Sequence, residues 1–300
     1  MEFVGLLDQP RGPQKIFVKP NLTYPRHTPG VTTSPEFLRD VLRVLKQAGF
    51  EVFVGESNGG YGSFLASEAF NGHKLVEMCH ETRAELVNLS ELDSKVYSAK
   101  VDGRTTWVRL PRFLVDDVDL TLSVPVLKVH AMTTISLSVK NLWGCCPIDL
   151  RLLQHAQLDR KLRLVADLVK ARFAIVDGTY GLDGHGPMEG SPRQIGKFVA
   201  GDDLYGLDWV VSRMMGFNPN TIHHLRLIPE SVLNSVRSGG ITTNVDLAHI
   251  EWRFRIGLNP VDALSLACFH SDLVSKVVFD SPFTRPIYRL FRREPRRRLG

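Results

Sequence analysis

The sequence predicts an α/β fold: an open, mostly parallel sheet flanked by helices, with a β-hairpin inserted. Three observations predict it. Short buried runs rich in Val, Ile and Phe recur along the chain, segments with helical apolar spacing alternate with them, and Pro or Gly marks the junctions.

Lys15-Ile-Phe-Val-Lys19 reads as the first buried strand, ended by Pro20. Ser34-Pro35-Glu36 opens a helix with a capping hydroxyl, a proline at the first helical position and an acid in the first turn. Phe37, Leu38, Val41, Leu42, Leu45 and Ala48 repeat on one face, and Gly49 stands where a C-terminal glycine belongs. Residues 50–54 are the next strand, completing a parallel β-α-β unit. A helix is expected over 64–81 and a strand over 85–89. Residues 96–110 form a hairpin around Asp102-Gly103, and 119–124 a buried strand broken by Pro125. Helices follow at 133–142 and 159–170, a strand at 173–176, a helix at 202–215 and a last strand at 252–256. Asp202 or Asp203 is placed to cap the helix at 202–215. Residues 1–280 read as a single domain and 281–300 as a basic tail.

Composition narrows the function classes. With 43% hydrophobic and 23% charged residues the chain has ordinary globular usage, and no apolar run reaches membrane-spanning length. The first eleven residues include Glu2 and Asp8 and do not resemble a secretory signal, so a cytoplasmic location is expected. The net charge of +5 resides in the tail, whose seven arginines and single Glu294 leave residues 1–280 at −1. No specific nucleic-acid binding is expected. Peripheral contact with a membrane or nucleic acid through the tail stays open, as does a homodimer. Cys79, Cys145, Cys146 and Cys268 form no C-x-x-C pair and no ferredoxin-type cluster, so they read as reduced and structural. A Gly-Cys-Cys-Pro turn could instead expose a thiol at Cys145 or Cys146.

In parallel sheets ligands bind beyond the carboxyl ends of the strands. Here four such ends carry polar side chains: Lys19 and Asn21; Glu56, Ser57 and Asn58; Lys128 and His130; and Asp177. Singly each could be turn chemistry or a solvated charge, but all fall on one sheet edge. Lys128, His130, Lys140 and Asn141 are the densest polar group and suit a carboxylate or phosphate. A lysine crowded by cations or desolvated has a lowered pKa and can act as base or nucleophile, and His130 titrates near neutrality. The catalytic candidates are therefore Lys128, His130, Lys140 and Asp177. The substrate-binding candidates are Lys19, Asn21, Ser57, Asn58, Asn141, His185 and Glu189, the last two presented by a glycine-rich loop at 184–190. The loop at 55–62 could wrap a phosphate but matches neither the dinucleotide fingerprint nor the P-loop. Asp177 and Asp208 are candidate Mg²⁺ ligands, while the adjacent His223 and His224 diverge and do not make a zinc pair.

Ordered blocks across residues 15–225 resemble the domain of unknown function 362 family. They are Val18-Lys19-Pro20-Asn21, Thr32-Thr33-Ser34-Pro35-Glu36, Gly55-Glu56-Ser57, Leu127-Lys128-Val129-His130, Val139-Lys140-Asn141-Leu142-Trp143-Gly144, Ile175-Val176-Asp177-Gly178, the loop at 184–190, and Ala200-Gly201-Asp202 with Asp208. Many members carry an appended ferredoxin-like Fe–S module. This chain lacks those cysteines, so the resemblance implies a stand-alone domain without an Fe–S cluster. The functional expectation is an enzyme acting on a small anionic metabolite by isomerisation, elimination or group transfer. The alternatives are a redox enzyme or electron-transfer partner, and a binder acting through the basic tail.

Overall fold

The sheet is built outward from its most apolar strand. The structure, a computed structural model, describes residues 14–148, 157–237 and 252–257. β1 (Lys15–Pro20) pairs in parallel with β2 (Glu51–Glu56) on one side and β6 (Leu120–Val124) on the other. β2 is followed outward by β3 (Glu85–Asn88), and β6 by the long β9 (Ala171–Asp183). Ile16 and Val18 point to the layer holding α1 (Pro35–Gln47), α2 (Ala66–Gly72) and α3 (Leu75–Thr82), whereas Phe17 points into the core on the opposite side. That alternation is why both faces of β1 read as apolar: each is covered. A separate hairpin, β4 (Ser94–Val101) and β5 (Arg104–Pro111), turns at Asp102-Gly103, both with positive φ as a type I′ turn requires.

The end of β6 decides where the site lies. Pro125 interrupts the strand, and the chain resumes at once as β7 (Val126–His130), again parallel to β9. β10 (Ser191–Gly201) runs antiparallel along the other edge of β9, so β6 and β7 share one edge in succession. The Asp177 amide donates to the Pro125 carbonyl at this junction (2.8 Å). β8 (Thr134–Ser136) then returns antiparallel to β7.

Several sequence expectations are corrected. The helix expected over 64–81 is two helices, broken where Lys74 adopts φ 56°. Within residues 133–142 lie β8 and a single helical turn, α4 (Ser138–Asn141), because Thr134, Ile135 and Ser136 are drawn into the ladder with β7. β9 runs on past 176 through Asp177, since β7 and β10 continue its pairing, and β10 itself was not anticipated because Pro192 and Gly196 interrupt its mostly polar run. Residues 252–256 form no strand. They run irregularly beside Gly184, with one bridge at Ile256. Cys79, Cys145 and Cys146 are buried, which removes the exposed-thiol reading of the Cys-Cys turn. The basic tail, the N-terminal eleven residues and Cys268 lie outside the described residues.

The remaining helices are α5 (Leu158–Leu168), α6 (Leu204–Met214) and α7 (Glu230–Arg237). Asp203 caps α6, its Oδ1 accepting the Gly206 amide at 2.6 Å. Asp203→Ala is expected to lower stability by about 1 kcal/mol in urea unfolding. An unchanged midpoint would show that the cap contributes nothing.

Candidate functional site

β2 and β3 extend from one side of β1 and β6 from the other, so a crevice opens beyond the carboxyl ends of β1 and β6. The segment after β1 folds over this crevice. The Asn21 amide donates to Thr33 Oγ1 (2.8 Å), and the Thr33 hydroxyl donates to the Val124 carbonyl at the end of β6 (2.8 Å).

Lys128 lies beneath that segment. In β7, Leu127 and Val129 face the core of α5 and α6, so strand alternation turns Lys128 and His130 to the opposite face, toward α1. Lys128 is fully buried, and its Nζ donates to the Val31 carbonyl (2.8 Å), Asn21 Oδ1 (3.3 Å) and Thr23 Oγ1 (3.5 Å). Among the described residues these acceptors are all neutral, and no carboxylate pairs with it. Burial, then the charges of Lys140 and Lys19, push its pKa down to about 7, with Glu56 opposing.

Asp177 reaches the same face from β9, continuing the side on which Phe173 and Ile175 meet α1. The Ser34 amide donates to its Oδ2 (2.7 Å), and the Thr179 amide and hydroxyl to its Oδ1 (2.9 and 2.6 Å). Here a sequence expectation is corrected: the Ser34 hydroxyl does not cap α1, and Asp177 stands within a strand rather than in a loop after one. The consequence is convergence all the same, because the Ser34 amide at the start of α1 is now tied to β9.

Lys19 occupies the other wall. Its Nζ donates to Glu56 Oε2 (2.5 Å) and the Pro20 carbonyl (2.7 Å), both side chains being almost wholly buried. Asn141 Nδ2, on α4, donates to the Lys19 carbonyl (2.8 Å) and to Ser123 Oγ (3.1 Å). Ser57 is anchored through Glu56 Oε1 and the Gly144 carbonyl. A Cβ on Gly144 would stand 2.7 Å from Lys19 Nζ, so only glycine lets the backbone pass this close to the pair. Lys140, half-buried on α4, is near enough for its charge to act on Lys128.

Other candidates fall at different distances from this centre. His130 sits two residues past Lys128 and accepts the Met132 amide at Nδ1 (3.1 Å), which leaves Nε2 to carry the proton of the neutral ring. His185 and Glu189 are exposed on the β9–β10 turn, which docks against β7 through the Gly186 carbonyl and the Ala131 amide (3.1 Å). Asn58 faces away, its Oδ1 receiving the Ala66 amide that starts α2 (2.8 Å). Asp208 is fully buried under α4 and accepts the Ser138 and Val139 amides (2.8 and 2.9 Å). Burial raises its pKa to about 7 against those bonds. Both oxygens of Asp208 thus serve a helix start and both of Asp177 accept N–H or O–H bonds. Among the described residues no group of three or more His, Cys, Asp or Glu is arranged to hold a metal ion.

Sequence reasoning left three residues at this rim off its candidates. Glu56 was noted at the end of β2 without a role, yet it is the counter-charge of Lys19. His27, on the covering segment, bonds Thr32 Oγ1 through Nδ1 (3.2 Å). Its pKa is lowered by burial while the charges of Glu36 and Asp177 oppose the shift. Its ring meets that of His73 edge-on at 6.2 Å. His73 Nε2 contacts the Tyr24 carbonyl (2.9 Å), and burial lowers its pKa to about 4. The available signal was the length and Pro-rich polarity of the β1–α1 connection at a strand's carboxyl end.

Comparison with known proteins places this arrangement in a family. A thylakoid-associated protein of Synechocystis sp. is 29% identical over 216 residues, 69% of this chain; the chain spans 65% of that relative's length. The fold resembles the lactate racemase apoprotein of Thermoanaerobacterium thermosaccharolyticum (TM-score 0.41, 15% identity, 65% of this chain and 50% of that one). It also resembles a protein of Thermotoga maritima of known crystal structure (TM-score 0.37, 13% identity, 77% and 56%). No helix among the described residues is long and apolar enough to cross a membrane. The pattern of the family described as Domain of unknown function (DUF362) matches residues 16–213, from β1 to the end of α6, and the chain belongs to that family.

Proposed function

We propose that the chain is an enzyme for a small carboxylate- or phosphate-bearing molecule, working by acid–base or nucleophilic chemistry at Lys128. The observation that carries this reading is a fully buried lysine, bonded only to neutral acceptors among the described residues, whose pKa lies near 7. Such an amine has a far larger unprotonated fraction at neutral pH than an ordinary lysine and can take a proton or attack a carbonyl. Lys140 supplies positive potential for the anion and Asn21 an amide to orient it, while Lys19 is neutralised by Glu56 and Asn141 fixes the Lys19 backbone, so these two build the wall of the site. Asp177 holds the covering segment in register through Ser34, and His130 offers an N–H at Nε2. Isomerisation, elimination and group transfer all use these parts. Substrate entry requires the covering segment to shift, because Val31 and Asn21 occupy Nζ.

Glyoxylate, a small carboxylate with an aldehyde, tests this. The neutral amine would add to the aldehyde with loss of water, and cyanoborohydride would reduce the imine to a stable carboxymethyl-lysine. At pH 7 peptide mass spectrometry is expected to find Lys128 modified ahead of the exposed Lys100. Lys128→Met should remove the product, and inorganic phosphate should slow it. Equal or faster modification of Lys100, with no protection by phosphate, would sink the reading.

A further inference from the structure

The segment that covers Lys128 is closed on itself. At its neck the Asn21 amide meets Thr33 Oγ1, and the Thr33 amide donates to the Asn21 carbonyl (3.0 Å). Inside it, the Val31 and Thr32 amides donate to the Thr28 carbonyl (3.0 and 3.1 Å) and the Thr28 amide to Thr32 Oγ1 (3.0 Å). A loop tied at its neck and bonded internally moves as one body. Among the described residues, 22–31 hydrogen-bond outside this segment at two places only. One is Lys128 Nζ, held by Thr23 and Val31. The other is the tip, where the Tyr24 carbonyl meets His73 Nε2 (2.9 Å), just past the end of α2. A carbonyl only accepts, so the ring proton sits on Nε2 and the lone pair on Nδ1. That lone pair has no partner among the described residues, and the ring is 2% exposed. Such a nitrogen costs stability, so the fold holds the ring here at a cost for a single bond to the tip. Gly72 completes the seat, because a Cβ there would run into the Pro25 carbonyl oxygen.

We propose that residues 23–31 are a flap that swings as a unit about Asn21 and Thr33, and that His73, seated beside Gly72, is the latch whose bond to Tyr24 sets how often substrate reaches the Lys128 amine. This deepens the reading of Lys128 as the reactive group and rests on it. His73 is a positioning residue: it acts through Tyr24 on the acceptors that occupy Nζ. Once the flap opens, an anionic group of the substrate takes the place that the Val31 carbonyl holds at Nζ in the closed form.

The rate of Lys128 modification by glyoxylate and cyanoborohydride at pH 7 reads the opening, since the closed amine is fully buried. His73→Phe keeps the bulk and loses the donor, and should speed modification about fivefold, the factor that one neutral hydrogen bond contributes. His73→Gln restores an N–H and should bring the rate back toward the parent. Gly72→Ala leaves the imidazole intact but pushes the tip away, and should speed both Lys128 modification and solvent exchange of the His73 ring N–H. Amide exchange at Val31 and Thr32 should stay unchanged in all three variants, because the bonds to Thr28 travel with the flap. Equal Lys128 rates in the parent, His73→Phe and Gly72→Ala would overturn the latch and leave the enzyme reading standing. Acceleration matched at the Val31 and Thr32 amides would overturn the flap as a unit, since it reports local unfolding. If Lys128 is modified in none of these proteins, the role given to Lys128 falls, and the ring N–H decides alone: faster exchange in Gly72→Ala supports the latch and unchanged exchange overturns it.

Discussion

Replacing Glu56 with alanine is expected to lower stability by about 3–5 kcal/mol, the loss typical when one partner of a buried ion pair is removed. Lys19 and Glu56 have side chains 1% and 5% exposed and meet at 2.5 Å, with the Gly144 backbone closing over them. Without the carboxylate, the Lys19 ammonium keeps only the Pro20 carbonyl, and the Ser57 amide loses its acceptor. Glu56→Gln should lose less, since the amide oxygen still accepts. The double variant Lys19→Met with Glu56→Leu should regain most of the loss, because the desolvation of both charges disappears with them. Urea unfolding of the four proteins measures this. A Glu56→Ala variant within about 1 kcal/mol of the parent would mean that water reaches the pair.

The second large effect is a pH dependence of stability set by Lys128. Folding lowers its pKa from 10.5 to about 7. Between those values the unfolded chain binds more protons than the folded one, so stability rises with pH from about 7 to 10.5. The gain is on the order of 3–5 kcal/mol for a group this buried. Lys128→Met should abolish that rise and make the protein more stable at pH 7. Asp208 works in the adjoining window and with the opposite sign. Its pKa is raised from 3.8 to about 7, so its contribution declines as pH climbs through that range and is flat above it. His73 and His224, lowered to about 4 and about 3, lose stability as pH falls below 6.5 and partly offset Asp208 there. Between pH 7 and 9 the rise belongs to Lys128; above pH 9 the buried Cys79 thiol, its pKa raised from 9.0 to about 12, and above pH 10 the buried Tyr205 hydroxyl, its pKa also raised by burial, oppose it. Urea midpoints that are level from pH 7 to 9 in the parent would show that the Lys128 ammonium is solvated.

How much of this was legible beforehand differs by element. β1, α1, β2 and the hairpin at Asp102-Gly103 follow from local signals that tertiary contacts reinforce: apolar runs, a proline at the first helical position, and a turn dipeptide. Local and tertiary preferences diverge around Pro125. Residues 126–136 carry no signal strong enough to choose between loop, helix and strand, and the open edge of β9 draws them into two strands. Ser34 shows the same divergence at the scale of one residue: a capping hydroxyl by sequence, an amide donor to Asp177 in the fold.

The sequence by itself determined the α/β class, the family, and the identity of the lysines, asparagines and aspartate gathered at one rim, because strand alternation and β-α-β handedness send successive strand ends to the same edge. Only the tertiary structure decided which of those groups are charged, paired or withdrawn. Glu56 neutralises Lys19, Asp208 is consumed by the start of α4, and Lys128 is left buried among neutral acceptors. Pairing and desolvation depend on distances between residues far apart in the chain, and those distances set the pKa values on which any chemistry here relies.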